Sequence, residues 1–321
     1  MAHEVEFVDG VAQMAYAGDV PWHGLGTRVS PDLTPAQMME KAGLDWEVKK
    51  YTLFAEVKKQ RVKSDRKALV RSSDSKILTT VGGDWNPVQN ADAFDFFHEF
   101  VLAGDMEMHT AGSLKGGQMV WALAKVKESF DIFGGDQVDS YMLFSNPHMY
   151  GKSIDIRFTP IRVVCNNTLT MSLHGAANVG YKSGHRTQFD ADDAKGAMGL
   201  AHEKFAKYRE MAEFLGSKRV TGDSLIEYFS SVFPRTSGSR KVEKFEDLSR
   251  NAQLAHSVME TQPGAEFAEG SFWQAFNATT YVTDHLQGRN ADNRLYSQWF
   301  GGNQTRKVQA MQKALDMANA A

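Results

Sequence analysis

The chain carries a single cysteine, Cys165, among 321 residues. One thiol excludes an internal disulfide framework and any zinc site built from several cysteines, and it is the usage expected in a reducing cytosol. Prolines number only eight, so long stretches are free to form regular elements. No apolar run approaches the roughly 20 residues needed to span a bilayer. The first residues, Met1-Ala2-His3-Glu4-Val5-Glu6-Phe7, are acidic where a secretory leader is basic and then apolar. A soluble, cytoplasmic protein without a membrane partner is the expectation. The formal net charge of -3 gives no global electrostatic reason to seek nucleic acid, so any such footprint must be local.

The specific catalytic signatures are missing as well. There is no Gly-rich loop ending in Gly-Lys-Ser/Thr, no dinucleotide glycine fingerprint, no nucleophile elbow and no zincin helix. The ten histidines are scattered, with no pair at i, i+4, so neither a metal nor a cofactor is expected.

What is present reads as α+β: an antiparallel sheet packed against helices, followed by a mostly helical C-terminal region. Residues 1–45 form a loop-rich segment in which Tyr16 to Gly26 should be pinned by Trp22. Thr34, Pro35 and Gln37 have the spacing of a capping box that opens a short helix ending at Gly43. Residues 46–180 form the α+β core. Runs from Trp46 to Phe54, Lys58 to Val62, Ala68 to Arg71 and Lys76 to Val81 alternate as strands. Asn90 should cap one helix from Ala91 to about Ala103, stopped by Gly104. Met106 to Leu114 and Gln118 to Val126 flank Lys115-Gly116-Gly117 as a hairpin. Strands at Asp139 to Ser145 and Ser153 to Phe158 follow, and a helix is expected from Ile161 or Asn166 to about His174. Residues 181–321 are helical, with segments at Phe189 to Leu215, Ser224 to Phe233, Phe245 to Glu260, Ser271 to Gln287 and Asn303 to Ala318. A basic loop from Pro234 to Lys244 separates two of them.

Two stretches draw a chemical reading. Residues 47–76 hold ten Lys or Arg against four Asp or Glu, the clearest basic patch in an acidic chain. A solvated sheet face and a phosphate-contacting surface both account for it. Its candidate contacts are Lys49, Lys50, Lys58, Lys59, Arg61, Lys63, Arg66 and Lys67, with Tyr51 and Phe54 beside them. Phe158 to Leu169 contains Arg162-Val163-Val164-Cys165-Asn166-Asn167-Thr168. Cys165 is either a nucleophile helped by Asn166, Asn167, His148 or His174, or a buried side chain at a strand-to-helix turn that the Asn-Asn-Thr run caps. Arg157 and Arg162 are further candidate phosphate contacts. A third stretch, Phe272 to His285, places Trp273, Asn277, Tyr281 and Asp284 on one helical stripe. This is read as structural, because Asp284 and His285 diverge by about 100° on a helix.

Trp22-His23-Gly24-Leu25-Gly26, Val88-Gln89-Asn90, Arg162 to Leu169, Tyr281 to His285 with Gly288-Arg289-Asn290, and Trp299-Phe300-Gly301 resemble, in this order, the phage- and plasmid-borne family classed as domain of unknown function 932. The resemblance implies a gene of phages, prophages and plasmids in a bacterial host, and carries no activity with it. The order of helix, hairpin, third strand and helix, as read from Ala91 to His174, is also similar in topology to the core of the single-strand annealing proteins of phage recombination. Those proteins assemble as rings or filaments and hold DNA in a basic groove beside the hairpin. The expectation is therefore a non-catalytic, self-associating protein that binds single-stranded nucleic acid in recombination or replication. A cysteine-dependent enzyme acting on a small molecule or nucleotide, and a counter-defence factor binding a host protein, are the alternatives.

Overall fold

The computed structural model describes residues 5–18, 24–162, 167–168, 181–185, 199–235, 242–287 and 294–321. By contact the chain groups into two units, one of residues 1–127, 141–157 and 176–199, the other of residues 128–140, 158–175 and 200–321. The fold is α+β, with antiparallel sheets and with helices concentrated towards the C-terminus. Among the described residues no helix is long and apolar enough to cross a membrane.

The first unit begins with strands β1 (Phe7–Val8), β2 (Val11–Ala12), β3 (Met14–Ala17) and β4 (Thr27–Val29), then helix α1 (Pro35–Lys41). Tyr16 and Ala17 lie in β3 rather than in a loop, while Trp22 and His23 fall outside the described residues. The capping box forms as its spacing predicts. The Thr34 side chain accepts from the Gln37 backbone N–H, and Gln37 Oε1 accepts from the Thr34 N–H at 2.9 Å. Strands β5 (Val48–Val57), β6 (Gln60–Arg71) and β7 (Ile77–Val81) make a three-stranded antiparallel sheet. The two strands expected between Lys58 and Arg71 are one. A bulge opposite Leu53, where Thr52 faces Lys67 and Phe54 faces Lys63, absorbs Ser64 to Arg66 without ending the ladder.

The single helix expected from Ala91 breaks into α2 (Asn90–Asp95) and α3 (His98–Ala103). Phe96 and Phe97 at the break are both buried, and both rings pack on Phe144, with centroids at 5.7 and 6.0 Å. Both residues keep right-handed helical torsions, and the Phe97 N–H bonds to Phe94 O at 3.0 Å, so the helix is interrupted by a tighter i, i+3 turn. Gly104 ends α3 at φ 76°, as expected. Strands β8 (Met106–Leu114), β9 (Met119–Ile132), β10 (Asp136–Pro147) and β11 (Ile154–Arg162) then follow one another as neighbours, and β3, with β4 beyond it, extends the β8 edge. The β8–β9 turn requires glycine at Gly117. Its φ is 89°, and a Cβ there would lie 2.7 Å from the Arg71 guanidinium.

The expected helix after Ile161 does not start there. Ile161 and Arg162 remain in β11 and pair antiparallel with Thr168 and Asn167 of β12 (Asn167–Thr168). Asn167 and Thr168 are thus extended in a ladder with the end of β11. Residues 163–166 and 169–180, with Cys165, Asn166 and His174, lie outside the described residues. Strand β13 (Tyr181–Ser183) pairs with the first half of β11.

In the second unit, helices α4 (Gly199–Ser217), α5 (Gly222–Val232), α6 (Arg250–Ser257), α7 (Phe272–Tyr281), α8 (Arg294–Phe300) and α9 (Gly302–Ala320) gather on a core that includes Tyr228, Phe229, Trp273 and Phe276. Residues 186–198 and 236–241 are outside the described residues, which leaves the start of the Phe189 segment and most of the basic loop unplaced. A π-helical turn, Val282–Leu286, continues α7.

Candidate nucleic-acid interface

Strands β5 and β6 are far longer than the sheet they start from, and the consequence is a free arm. Residues 54–63, the last four of β5, the turn and the first four of β6, are all exposed. Lys58 and Lys59 form the two-residue turn, closed by the Val57–Gln60 pair. Cross-strand partners share a face. One face of the arm therefore carries Phe54, Glu56, Arg61 and Lys63, and the other carries Ala55, Val57, Gln60 and Val62. On the first face the Arg61 guanidinium lies over the Phe54 ring at 4.6 Å, which holds the aromatic and the cation together.

Six Lys or Arg, from Lys58 to Lys67, stand against Glu56 and Asp65 along this arm and its root. The side chains of Lys58, Lys59 and Lys63 make no hydrogen bond or ion pair among the described residues. Nearer the root the cations are engaged. Arg66 donates to Thr80 O at 2.7 Å and covers Tyr150, and Lys67 donates to Thr52 Oγ1 at 3.0 Å. Lys50 donates to Gly83 O at 3.0 Å, and Lys49 pairs with Glu47 at 2.9 Å. The sheet thus gathers all eight candidates of the 47–76 segment on β5, β6 and the turn between them. It does not gather the other two. Arg157 belongs to β11 and is paired with Asp155, and Arg162 is the last residue of β11.

The composition count also includes cations that turn inward. Arg71 is buried, with Nη1 2.8 Å from both Glu6 carboxylate oxygens, Nη2 2.6 Å from Asp74, and its guanidinium over Trp46. The Arg71 hydrogen bond holds the Asp74 carboxyl down at about 2. Lys76 lies 3.5 Å from Glu6. Glu6 is distant in sequence, so nothing in the charge pattern marks Arg71 as an internal ion pair rather than a surface cation.

The arm is positioned by Val88-Gln89-Asn90. Gln89 bonds the Val48 backbone like an extra strand residue, accepting from its N–H at 2.9 Å and donating to its carbonyl at 3.1 Å. Asn90 does not cap α2 with its side chain. It is buried and donates to Leu44 O at 2.9 Å. That fixes its amide so that Oδ1 accepts from His148 Nε2 at 3.0 Å. Asn146 donates to Val88 O at 2.9 Å. His185 stacks on Trp85, centroids 4.0 Å apart, with Nδ1 3.3 Å from Asn86 O. Burial pushes His148 down to about 3, helped by the neighbouring His185, and burial pushes His185 down to about 4. Both rings are neutral at physiological pH, which makes this cluster a structural clasp at the root of the arm. His148 is accordingly an Asn90 partner, and Cys165, its conceivable companion in a nucleophilic site, lies outside the described residues.

In the second unit the Trp273, Asn277 and Asp284 stripe is internal. Asn277 donates to Trp273 O at 2.9 Å, and Asp284 accepts from Lys307 Nζ at 2.7 Å, with both charged side chains buried. The His285 ring lies against Tyr281 at 5.0 Å. Sequence spacing could not pair Asp284 with Lys307, because they come from different helical segments.

The family model described as Domain of unknown function (DUF932) matches residues 77–320. The chain belongs to this family. The DUF932 match covers the Val88-Gln89-Asn90 clasp, β8 to β13 and the C-terminal helices, and begins at Ile77, after the arm has ended. No curated protein and no solved structure matches the chain.

Proposed function

We propose that this DUF932 protein is a non-catalytic, single-stranded nucleic-acid-binding protein of recombination or replication on a mobile element, acting in the bacterial cytoplasm, with the β5–β6 arm as its contact surface. The observation that carries the reading is the arm itself. Ten consecutive residues extend with both faces exposed, and they put Arg61 and Lys63 beside Phe54, with Lys58 and Lys59 at the turn beyond. Two-stranded ribbons are marginal on their own in water. This one also leaves the Phe54 ring about half exposed, an aromatic surface that a bound strand would cover. Single strands suit the chemistry: phosphates take the lysines, and any base can stack on an exposed aromatic.

The test is a binding titration with a short labelled oligonucleotide across a salt series. If the cations Lys58, Lys59, Arg61, Lys63, Arg66 and Lys67 each neutralise a phosphate, log K falls with log salt with a slope of about -4. The charge-reversed variant Lys58→Glu, Lys59→Glu, Arg61→Glu, Lys63→Glu is expected to remain folded, since these side chains are exposed, and to lose detectable binding. A parent protein that binds no oligonucleotide at low salt overturns the proposal.

A further inference from the structure

The turn at the end of the arm is built from the wrong residues for its shape. Lys58 and Lys59 both have positive φ, 49° and 65°, and they join β5 to β6 as a two-residue loop. Both central residues in the left-handed region is the signature of the type I′ hairpin turn, which Asn-Gly and Asp-Gly form at least cost. A side chain with a Cβ is disfavoured there, and lysine has no short polar group to compensate. Non-glycine residues in this region otherwise occur singly along the described chain, at Asp9, Ser75, Lys115 and Phe133. The adjacent pair sits only at the arm tip, and it bears two cations that nothing among the described residues engages. Local strain maintained in the fold is a pointer to function when its side chains have no structural task.

We infer that Lys58 and Lys59 are the principal phosphate contacts of the arm, and that the strand lies across the Phe54–Arg61–Lys63 face and not across the Val57–Val62 face. This rests on the nucleic-acid reading above and sharpens it to one turn and one face. The turn splays two ammonium groups from adjacent residues at the outermost point of the ribbon, where they meet a polyanion first. Next to them, the face with Arg61 over Phe54 offers a ring and two cations to the following nucleotide. The opposite face has no charged residue from Ala55 to Val62.

The experiment replaces Lys58→Asn and Lys59→Gly together. Asn-Gly relieves the turn, so backbone amides of the arm are expected to exchange about tenfold more slowly than in the parent. The same change removes two phosphate contacts, so affinity for the oligonucleotide at 0.1 M salt is expected to fall by about 25-fold and the salt slope to flatten by about 1.4. The charge-preserving variant Lys58→Arg, Lys59→Arg should bind like the parent. Phe54→Ala is expected to weaken binding severalfold, and Val57→Ser with Val62→Ser to leave it unchanged. If the Asn-Gly variant has the slower exchange but parental affinity, or if the Val57/Val62 variant weakens binding while Phe54→Ala does not, the tip-and-face assignment fails while the arm remains a nucleic-acid surface. If the parent does not bind, the broader reading fails with it.

Discussion

Replacing Lys307 with alanine is expected to destabilise the protein by about 3–5 kcal/mol. Lys307 and Asp284 are buried, with side chains 0% and 2% exposed, and Nζ lies 2.7 Å from the carboxylate. Burial pushes the ammonium below its usual range and the Asp284 charge opposes that shift. Removing the cation leaves a carboxylate without its counter-charge inside the helical core, in the π-helical turn that follows α7. Asp284→Ala should cost a similar amount for the mirror reason. The double variant Lys307→Met, Asp284→Leu should recover part of the loss, since neither charge then has to be held away from water. Denaturant unfolding monitored by tryptophan fluorescence checks all of these. A single-variant loss below about 1 kcal/mol would mean that the pair is solvated in solution. Oligonucleotide binding by the folded fraction should not change, because the proposed contact is the arm.

Acidification is the second large effect. His148 and His185 are neutral in the fold, with values near 3 and 4, against about 6.5 for an exposed histidine. Between about pH 4 and 6.5 the unfolded chain binds protons at these rings and the folded chain does not. Stability therefore rises with pH through that window and is lost as pH falls through it. Two such groups give a slope of up to about 2.7 kcal/mol per pH unit, so pH 5 should cost about 4 kcal/mol relative to pH 7. His148→Gln with His185→Gln should flatten the dependence across this window, at some cost in stability at pH 7 because the His148–Asn90 bond and the Trp85 stack are altered. Unfolding midpoints measured from pH 4.5 to 7.5 would show the difference, and parallel curves for parent and variant would exclude the two histidines as the cause. Since the clasp holds the root of the arm through Gln89 and Asn90, oligonucleotide binding should fail over the same acid range as stability does.

Local features of the site were legible where they depended on neighbouring residues. The basic run from Lys49 to Lys67 with Tyr51 and Phe54 identified the strands that form the arm, because alternation and turn chemistry act over a few residues. The Thr34 cap, the Gly104 stop and the Lys115-Gly116-Gly117 hairpin were readable for the same reason. Two readings depended on distant partners and came out differently. Asn90 has the right type and place for a helix cap, yet burial turned it to Leu44 and His148. Phe96 and Phe97 sit in a helical pattern, yet the chain tightens there to an i, i+3 turn, with both rings packed on Phe144.

By itself the sequence determined the α+β class, the hairpin and helix boundaries set by caps and glycines, the family resemblance, and the segment that holds the surplus positive charge. Those follow from interactions between residues a few positions apart. Only the tertiary structure decided which of those charges reach solvent. Arg71 is drawn inward by Glu6, whereas Lys58, Lys59 and Lys63 stand on an arm whose faces are both exposed, the first two at a turn whose left-handed backbone no charge pattern reveals. A charge count adds up residues, while a fold decides which of them find a buried counter-charge, and that depends on partners brought together from far along the chain.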